Sequence, residues 1–151
     1  MPVTIRTLST DDIPTCGAIN RSLPAWFGVD EGLAEADGYL HDHDGLVAVI
    51  DGEVAGYLTY TQLFPESTEI SWMAVSKAHH RRGIGRALIT ALEKRLPTGS
   101  LLSVKTLADT HPSPEYDTTR AFYISVGFRP QMVFPELWDP SNPCLLMTRT
   151  I

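Results

Sequence analysis

Cysteine is scarce in this chain. Cys16 and Cys144 are the only two in 151 residues, and their wide separation matches no zinc spacing and no disulfide framework. Reduced thiols, a cytoplasmic setting and no bound metal are therefore expected. Long apolar runs are missing as well: none approaches the roughly 18 residues of a membrane-spanning helix. No charged-then-apolar leader opens the chain, so no membrane partner is expected. Positive charge is in the minority, 12 Lys and Arg against 18 Asp and Glu, for a formal charge of −6. That balance weighs against wholesale nucleic-acid binding. An acidic surface suits a cationic partner such as an amine, although it also simply keeps a protein soluble. Repeats, linkers and low-complexity tracts are absent, and the length fits one domain over residues 1–151.

What is present reads as alternating strands and helices. "VTIRTL" alternates apolar and polar residues and predicts a strand over 3–8. Ser, Thr and Asp then offer caps for a helix over about 11–22, with Pro14 tolerated in its first turn. A short second helix is expected over 33–40. Two β-rich runs flank Asp51-Gly52, which predicts a hairpin. Further strands are expected over 68–75 and Leu101–Leu107, with a helix between them over 86–95 carrying Ala87, Leu88, Ala91 and Leu92. A last helix spans about 115–126, with Gly127 just past its end. Two final strands, over 131–137 and 144–150, are split by the turn-rich "WDPSNP". The order β-α-α-β-β-β-α-β-α-β-β predicts an α/β fold, a mixed sheet with helices on both faces and one parallel strand pair.

One stretch stands out for chemistry. "HHRRGIGRAL" puts Gly83 and Gly85 at a helix start behind two arginines. A helix start exposes unpaired N–H groups and the positive end of the helix dipole. Glycines let a ligand approach that backbone, so the stretch suits phosphate. It lacks the G-x-x-x-x-G-K-[ST] of a P-loop. It also fails the dinucleotide fingerprint, because Leu88 stands where the third glycine belongs.

The longer run "MAVSKAHHRRGIGRALI" resembles the central motif of the GNAT superfamily of acyl-CoA N-acyltransferases, written Q/R-x-x-G-x-G/A. His80 occupies the first position in place of Gln or Arg. About 40 residues on, "TRAFYISVGF" is similar to that superfamily's late A-x-x-F-Y-x-x-x-G-F helix, with Tyr116 and Asp117 where an Asn is common. The element order agrees over nearly the whole chain.

The resemblance implies an acetyl-CoA-dependent N-acetyltransferase with a GNAT-type fold. Acetyl-CoA would be the co-substrate and a small-molecule primary amine the acceptor. A peptide or protein acetylase and a non-catalytic CoA-binding sensor are the alternatives, and a homodimer is compatible with the family's habits. The pantetheine arm is expected on the strand backbone at Met73, Ala74 and Val75. The pyrophosphate is expected on the amides of Arg81, Arg82, Gly83, Ile84, Gly85, Arg86 and Ala87. Tyr123, on the tyrosine of the "FY" pair, is the expected acid for the departing sulfur. Glu69, at the start of "EISWMAV", is the expected base for the amine. Trp26 and Phe27 are candidate acceptor contacts, with Tyr57, Tyr60 and Trp138 as further aromatics. "HDHD" (residues 41–44) is expected to be a solvated turn at a helix end, and His111 a loop histidine near the site mouth.

Overall fold

The structure is a computed structural model and describes residues 2–24, 30–110 and 113–151. Its elements follow the expected order: β1 (Thr4–Thr7), α1 (Ile13–Arg21), α2 (Asp30–Asp42), β2 (Asp44–Ile50), β3 (Glu53–Phe64), β4 (Ser67–Val75), α3 (Ile84–Glu93), β5 (Leu101–Leu107), α4 (Pro114–Ser125), β6 (Arg129–Asp139) and β7 (Asn142–Thr150). The strands form a seven-stranded sheet in the order β1-β2-β3-β4-β5-β7-β6. The β4–β5 pair is parallel, whereas β1–β2, β2–β3, β5–β7 and β6–β7 are antiparallel. Parallel neighbours need a crossover, and α3 supplies it. Among the described residues no helix is long and apolar enough to cross a membrane. The chain divides into two compact units, residues 1–61 with 71–96 and residues 62–70 with 97–151.

In the first unit the β2–β3 hairpin turns at Asp51 and Gly52, both left-handed with φ of 52° and 81°. Those dihedrals match the right-handed twist of the flanking strands. Cys16, Ile19, Leu23, Leu40, Val47, Tyr57 and Ala74 form one apolar cluster between α1, α2 and the strands. On β3, Gly56 lets α3 approach the sheet: a Cβ there would lie 3.3 Å from Ile84 Cγ2 and 3.1 Å from the Ala74 carbonyl oxygen. The face α3 buries is Ile84, Leu88, Ile89 and Leu92. The sequence places the start of this helix two residues late and puts Ala87 and Ala91 in its apolar stripe. Both alanines instead line an open groove beside Ile5. Gly83 caps the helix in a left-handed conformation and so moves the start forward.

Asp12 ties β1 to the helix entry. Its carboxylate accepts two hydrogen bonds from Arg6, at 2.7 and 2.9 Å, and others from the Ser9 amide at 2.8 Å and hydroxyl at 3.1 Å. The Arg6 bonds, aided by Ser9 and opposed by burial, bring its pKa down to about 2. The charged form is thus favoured by folding. Its contribution is complete above the ordinary carboxylate range and disappears as pH falls toward 2. Arg6 is half exposed, so solvent screens part of the effect. Asp12→Asn should cost about 1–2 kcal/mol at pH 7 in urea unfolding, and the gap should close by about pH 2. A pH-independent gap would assign the loss to packing.

In the second unit β5 pairs with β7 from Leu101↔Thr150 to Leu107↔Cys144. The helix α4 stops at Ser125, and Gly127 follows at φ 96°. Both final strands outrun the sequence expectation. The Asp139 carboxylate accepts the Ser141 amide at 2.8 Å and the Asn142 side-chain amide at 3.0 and 3.1 Å. "WDPSNP" is therefore a tight hairpin turn, and Trp138 sits at the end of β6 with 45% exposure.

Candidate active site

At the end of β4 the chain leaves the sheet through a short 3-10 turn, Lys77–His79, and enters α3. The Ser76 amide donates to the Ala55 carbonyl at 2.8 Å, which pins the exit to β3. His80, the departure from the motif, has a structural partner: its Nε2 lies 2.7 Å from the Val75 carbonyl oxygen. The imidazole thus ties the loop to the strand it has just left. Arg81 and Gly83 then take left-handed φ values of 66° and 74°. Alternation of backbone hand turns successive N–H groups into one concavity, a nest for an anion.

The hydrogen-bond inventory fits that geometry. Among the described residues, the amides of residues 81–85 donate to no backbone carbonyl, while the Ala87 amide donates to Gly83 at 3.0 Å. Ala87 therefore belongs to the helix's own ladder and leaves the expected row of donors. A Cβ built on Gly83 meets no atom within 4 Å, so the space over the nest is open. Gly83, Arg86, Ala87, Thr90, Ala91, Lys94 and Arg95 also line a groove of about 600 Å³ along α3. Its arginines and lysine bring positive charge to an acidic protein. The residues present fit the diphosphate of a nucleotide-bearing thioester: backbone donors, an open approach and cations nearby.

Tyr123 lies in the second unit on α4 and is 5% exposed. Its ring meets Phe122 at 5.3 Å and Phe128 edge-on at 5.5 Å between centroids. Its hydroxyl makes no hydrogen bond to another described residue. Burial pushes the phenol above its ordinary pKa, and Tyr116 adds to the shift. The group is held in the protonated form that a donor requires. Glu69, also in this unit, holds the Lys105 ammonium at 2.7 Å. The parallel β4–β5 register runs from Ser67↔Leu101 to Ile70↔Val104, and β4 itself continues to Val75.

Other expectations fall differently. Tyr57 is fully buried, and its hydroxyl donates to Asn20 Oδ1 at 2.8 Å, so it belongs to the core and not to an acceptor surface. Trp72 Nε1 donates to the same oxygen at 3.2 Å. Asn20 thereby fastens α1 to β3 and β4, a role that a lone polar residue in a helical pattern does not announce. Burial pushes the Cys16 thiol up to about 12 and raises Cys144 as well. Trp26, Phe27 and His111 lie outside the described residues.

The histidine-rich "HDHD" differs most from expectation. His43 is half-buried rather than solvated, and its Nδ1 lies 2.8 Å from Ser71 Oγ on β4. Ser71 Oγ is in turn 2.8 Å from Thr59 Oγ1 on β3. The Tyr39 ring stacks on the imidazole with centroids 4.7 Å apart. Sequence spacing hides this group because its members are 12 and 28 residues apart.

A family model described as the acetyltransferase (GNAT) family matches residues 17–128. No curated relative matches the chain in sequence. A GNAT-family protein from Desulfovibrio desulfuricans superposes with TM-score 0.83 at 21% identity, covering 99% of both chains. The ribosomal-protein-S18-alanine N-acetyltransferase from Escherichia coli gives 0.76 at 20%, covering 99% of this chain and 94% of the other. An aminoglycoside 6'-N-acetyltransferase complexed with coenzyme A gives 0.72 at 18%, covering 97% and 96%. At these identities the structural likeness establishes the fold.

Proposed function

Because the chain belongs to the GNAT acetyltransferase family, we propose that it moves an acetyl group from acetyl-CoA to the primary amine of a small molecule, by direct transfer in a ternary complex. The observation that carries this reading is the row of amides at residues 81–85, undonated to any described backbone carbonyl, over an open Gly83. In this reading those N–H groups hold the diphosphate, together with Arg86 at the first turn of α3. The arginines Arg81, Arg82 and Arg86 adjust affinity. The backbone of Met73, Ala74 and Val75, on β4 beyond its parallel register, pairs with the pantetheine arm.

An amine with the ordinary pKa of about 10.4 costs roughly 4.6 kcal/mol to deprotonate at pH 7. A proton acceptor near the acceptor nitrogen offsets much of that cost. Glu69 is the carboxylate on β4 that meets the cationic amine and is the first candidate for its proton. Tyr123 delivers a proton to the sulfur as it leaves. The buried, upward-shifted thiols of Cys16 and Cys144 weigh against an acetyl-cysteine intermediate, since the thiolate is the nucleophilic form. The whole chain would act as one catalytic domain, in the cytoplasm.

The test is thiol release from acetyl-CoA over a panel of small amines and of peptides with free N-termini. Turnover with small amines is expected. Turnover with peptides alone would make the chain a protein acetylase, and binding of coenzyme A without thiol release would make it a sensor. Glu69→Gln should lower kcat/KM for the amine about tenfold, at unchanged acetyl-CoA affinity by calorimetry. An unaltered kcat/KM would remove Glu69 from the site.

A further inference from the structure

We propose that His43, acting through the Ser71 hydroxyl, receives the proton that the acceptor amine gives up. The proposal rests on the acetyl-transfer reading above. Ser71 is the first residue of β4 past the last parallel pair, Ile70↔Val104. It therefore opens the stretch of strand whose later residues, Met73 to Val75 beyond Trp72, are assigned to the pantetheine arm. Two residues before it, Glu69 already holds an ammonium ion, Lys105, at 2.7 Å. With Lys105 as its counter-ion that carboxylate is suited to draw in a cation, and the relay takes the proton itself to His43 in place of Glu69. Ser71 is tied to a different kind of partner, an imidazole at 2.8 Å. Histidine is the side chain whose ordinary titration lies nearest pH 7, so it can both take up and release a proton there.

The rest of the cluster orients this pair. Thr59 is fully buried on β3 and lies 2.8 Å from Ser71 Oγ. With Nδ1 as the acceptor, Thr59 donates to Ser71 and Ser71 donates to His43. The Ser71 proton is then already aimed at the imidazole. Tyr39 fixes the ring plane by stacking at 4.7 Å, and its hydroxyl is held by Glu35. The His43 amide donates to the Tyr39 carbonyl at 2.9 Å, so the residue closes the end of α2. The charged and titratable groups around the imidazole are Glu35, reached through Tyr39, its chain neighbours Asp42 and Asp44, and Tyr60, which stands opposite Asp44 on β3.

The step balances as follows. The ammonium group R–NH3⁺ passes one proton to Ser71 Oγ while the proton of Ser71 passes to His43 Nδ1. This leaves R–NH2, an unchanged serine and an imidazolium. The amine nitrogen forms a bond to the thioester carbonyl carbon, and the carbon–sulfur bond breaks with its electron pair on sulfur. Sulfur leaves as the thiol with a proton from Tyr123. The second amine proton and the imidazolium proton are returned to Tyr123 and to solvent. In these terms Ser71 touches the substrate, and His43 and Thr59 are positioning residues behind it.

The experiment compares pH–rate profiles of the parent chain, His43→Gln, Ser71→Ala and Ser71→Thr with whichever amine turns over. His43→Gln and Ser71→Ala should each lose at least about tenfold in kcat/KM for the amine at pH 7. The deficit should shrink as pH rises toward the amine's own pKa of about 10.4, where no acceptor is needed. Ser71→Thr keeps the hydroxyl and should retain most of the rate. Calorimetric acetyl-CoA affinity should be unchanged in all three. A deficit of constant size at every pH, or profiles that superimpose on the parent, would overturn the relay while leaving acetyl transfer intact. A parent chain that releases no thiol with any amine would overturn acetyl transfer and the relay together.

Discussion

Acetyl-CoA should bind the Gly83→Asp variant at least about 100-fold more weakly than the parent chain, by calorimetry. Two effects combine in this loss, a backbone cost and a charge. Gly83 sits at φ 74°, where a side chain costs roughly 1–2 kcal/mol, Asp less than most. A Cβ there meets nothing within 4 Å, so the fold accommodates the residue without a clash. The larger part is charge. Two unit charges about 5 Å apart interact with roughly 3 kcal/mol at an effective dielectric of 20, which alone exceeds a 100-fold change. Gly83→Ala carries at least that backbone cost without the charge and should lose only a few-fold. An Asp variant that binds like the Ala variant would remove the diphosphate from this nest.

The features legible in the sequence are those fixed by local chemistry. Asp51-Gly52 sets the hairpin because only a left-handed pair closes it, and both residues have positive φ. The glycine pair at residues 83 and 85 marks the nest for a related reason: in the proposed reading backbone amides hold the diphosphate, and glycine leaves their approach open. The helix α3 starts at Ile84, two residues ahead of its periodic pattern. Periodicity favours Ala87 and Ala91 as core, but they line a groove, and Ile84 and Ile89 fill the interior instead. A small apolar residue fits either surface, and only the approach of α3 to Gly56 decides which face turns inward.

The polar network is the part that spacing does not announce. His43 lies just past α2, Ser71 on β4 and Thr59 on β3, and each has an unremarkable local context. "HDHD" reads as a solvated turn because four polar residues in a row usually are. The stacking of Tyr39 and the hydroxyl on β4 half-bury one member of the four. Glu69 is legible as a carboxylate on β4, but its tie to Lys105 on β5 depends on the parallel register of that pair.

Tyr123→Phe should lower kcat about 100-fold at pH 7, with little change in acetyl-CoA affinity. The substitution removes one oxygen from a ring packed against Phe122 and Phe128, so the α4 contacts remain and unfolding stability should change little. Turnover should persist because a thiol with an ordinary pKa near 8.5 leaves tolerably as the thiolate. Acetyl esters of more acidic thiols sharpen the test. Their sulfur needs less help on leaving, so the penalty of Tyr123→Phe should shrink as the thiol pKa falls. A penalty independent of the leaving thiol would make Tyr123 a packing residue and move the acid elsewhere. The rise in its own pKa sets the sign of the remaining expectation. The phenol stays protonated through the neutral and mildly alkaline range, so the parent enzyme should show no descending limb from this group below pH 10.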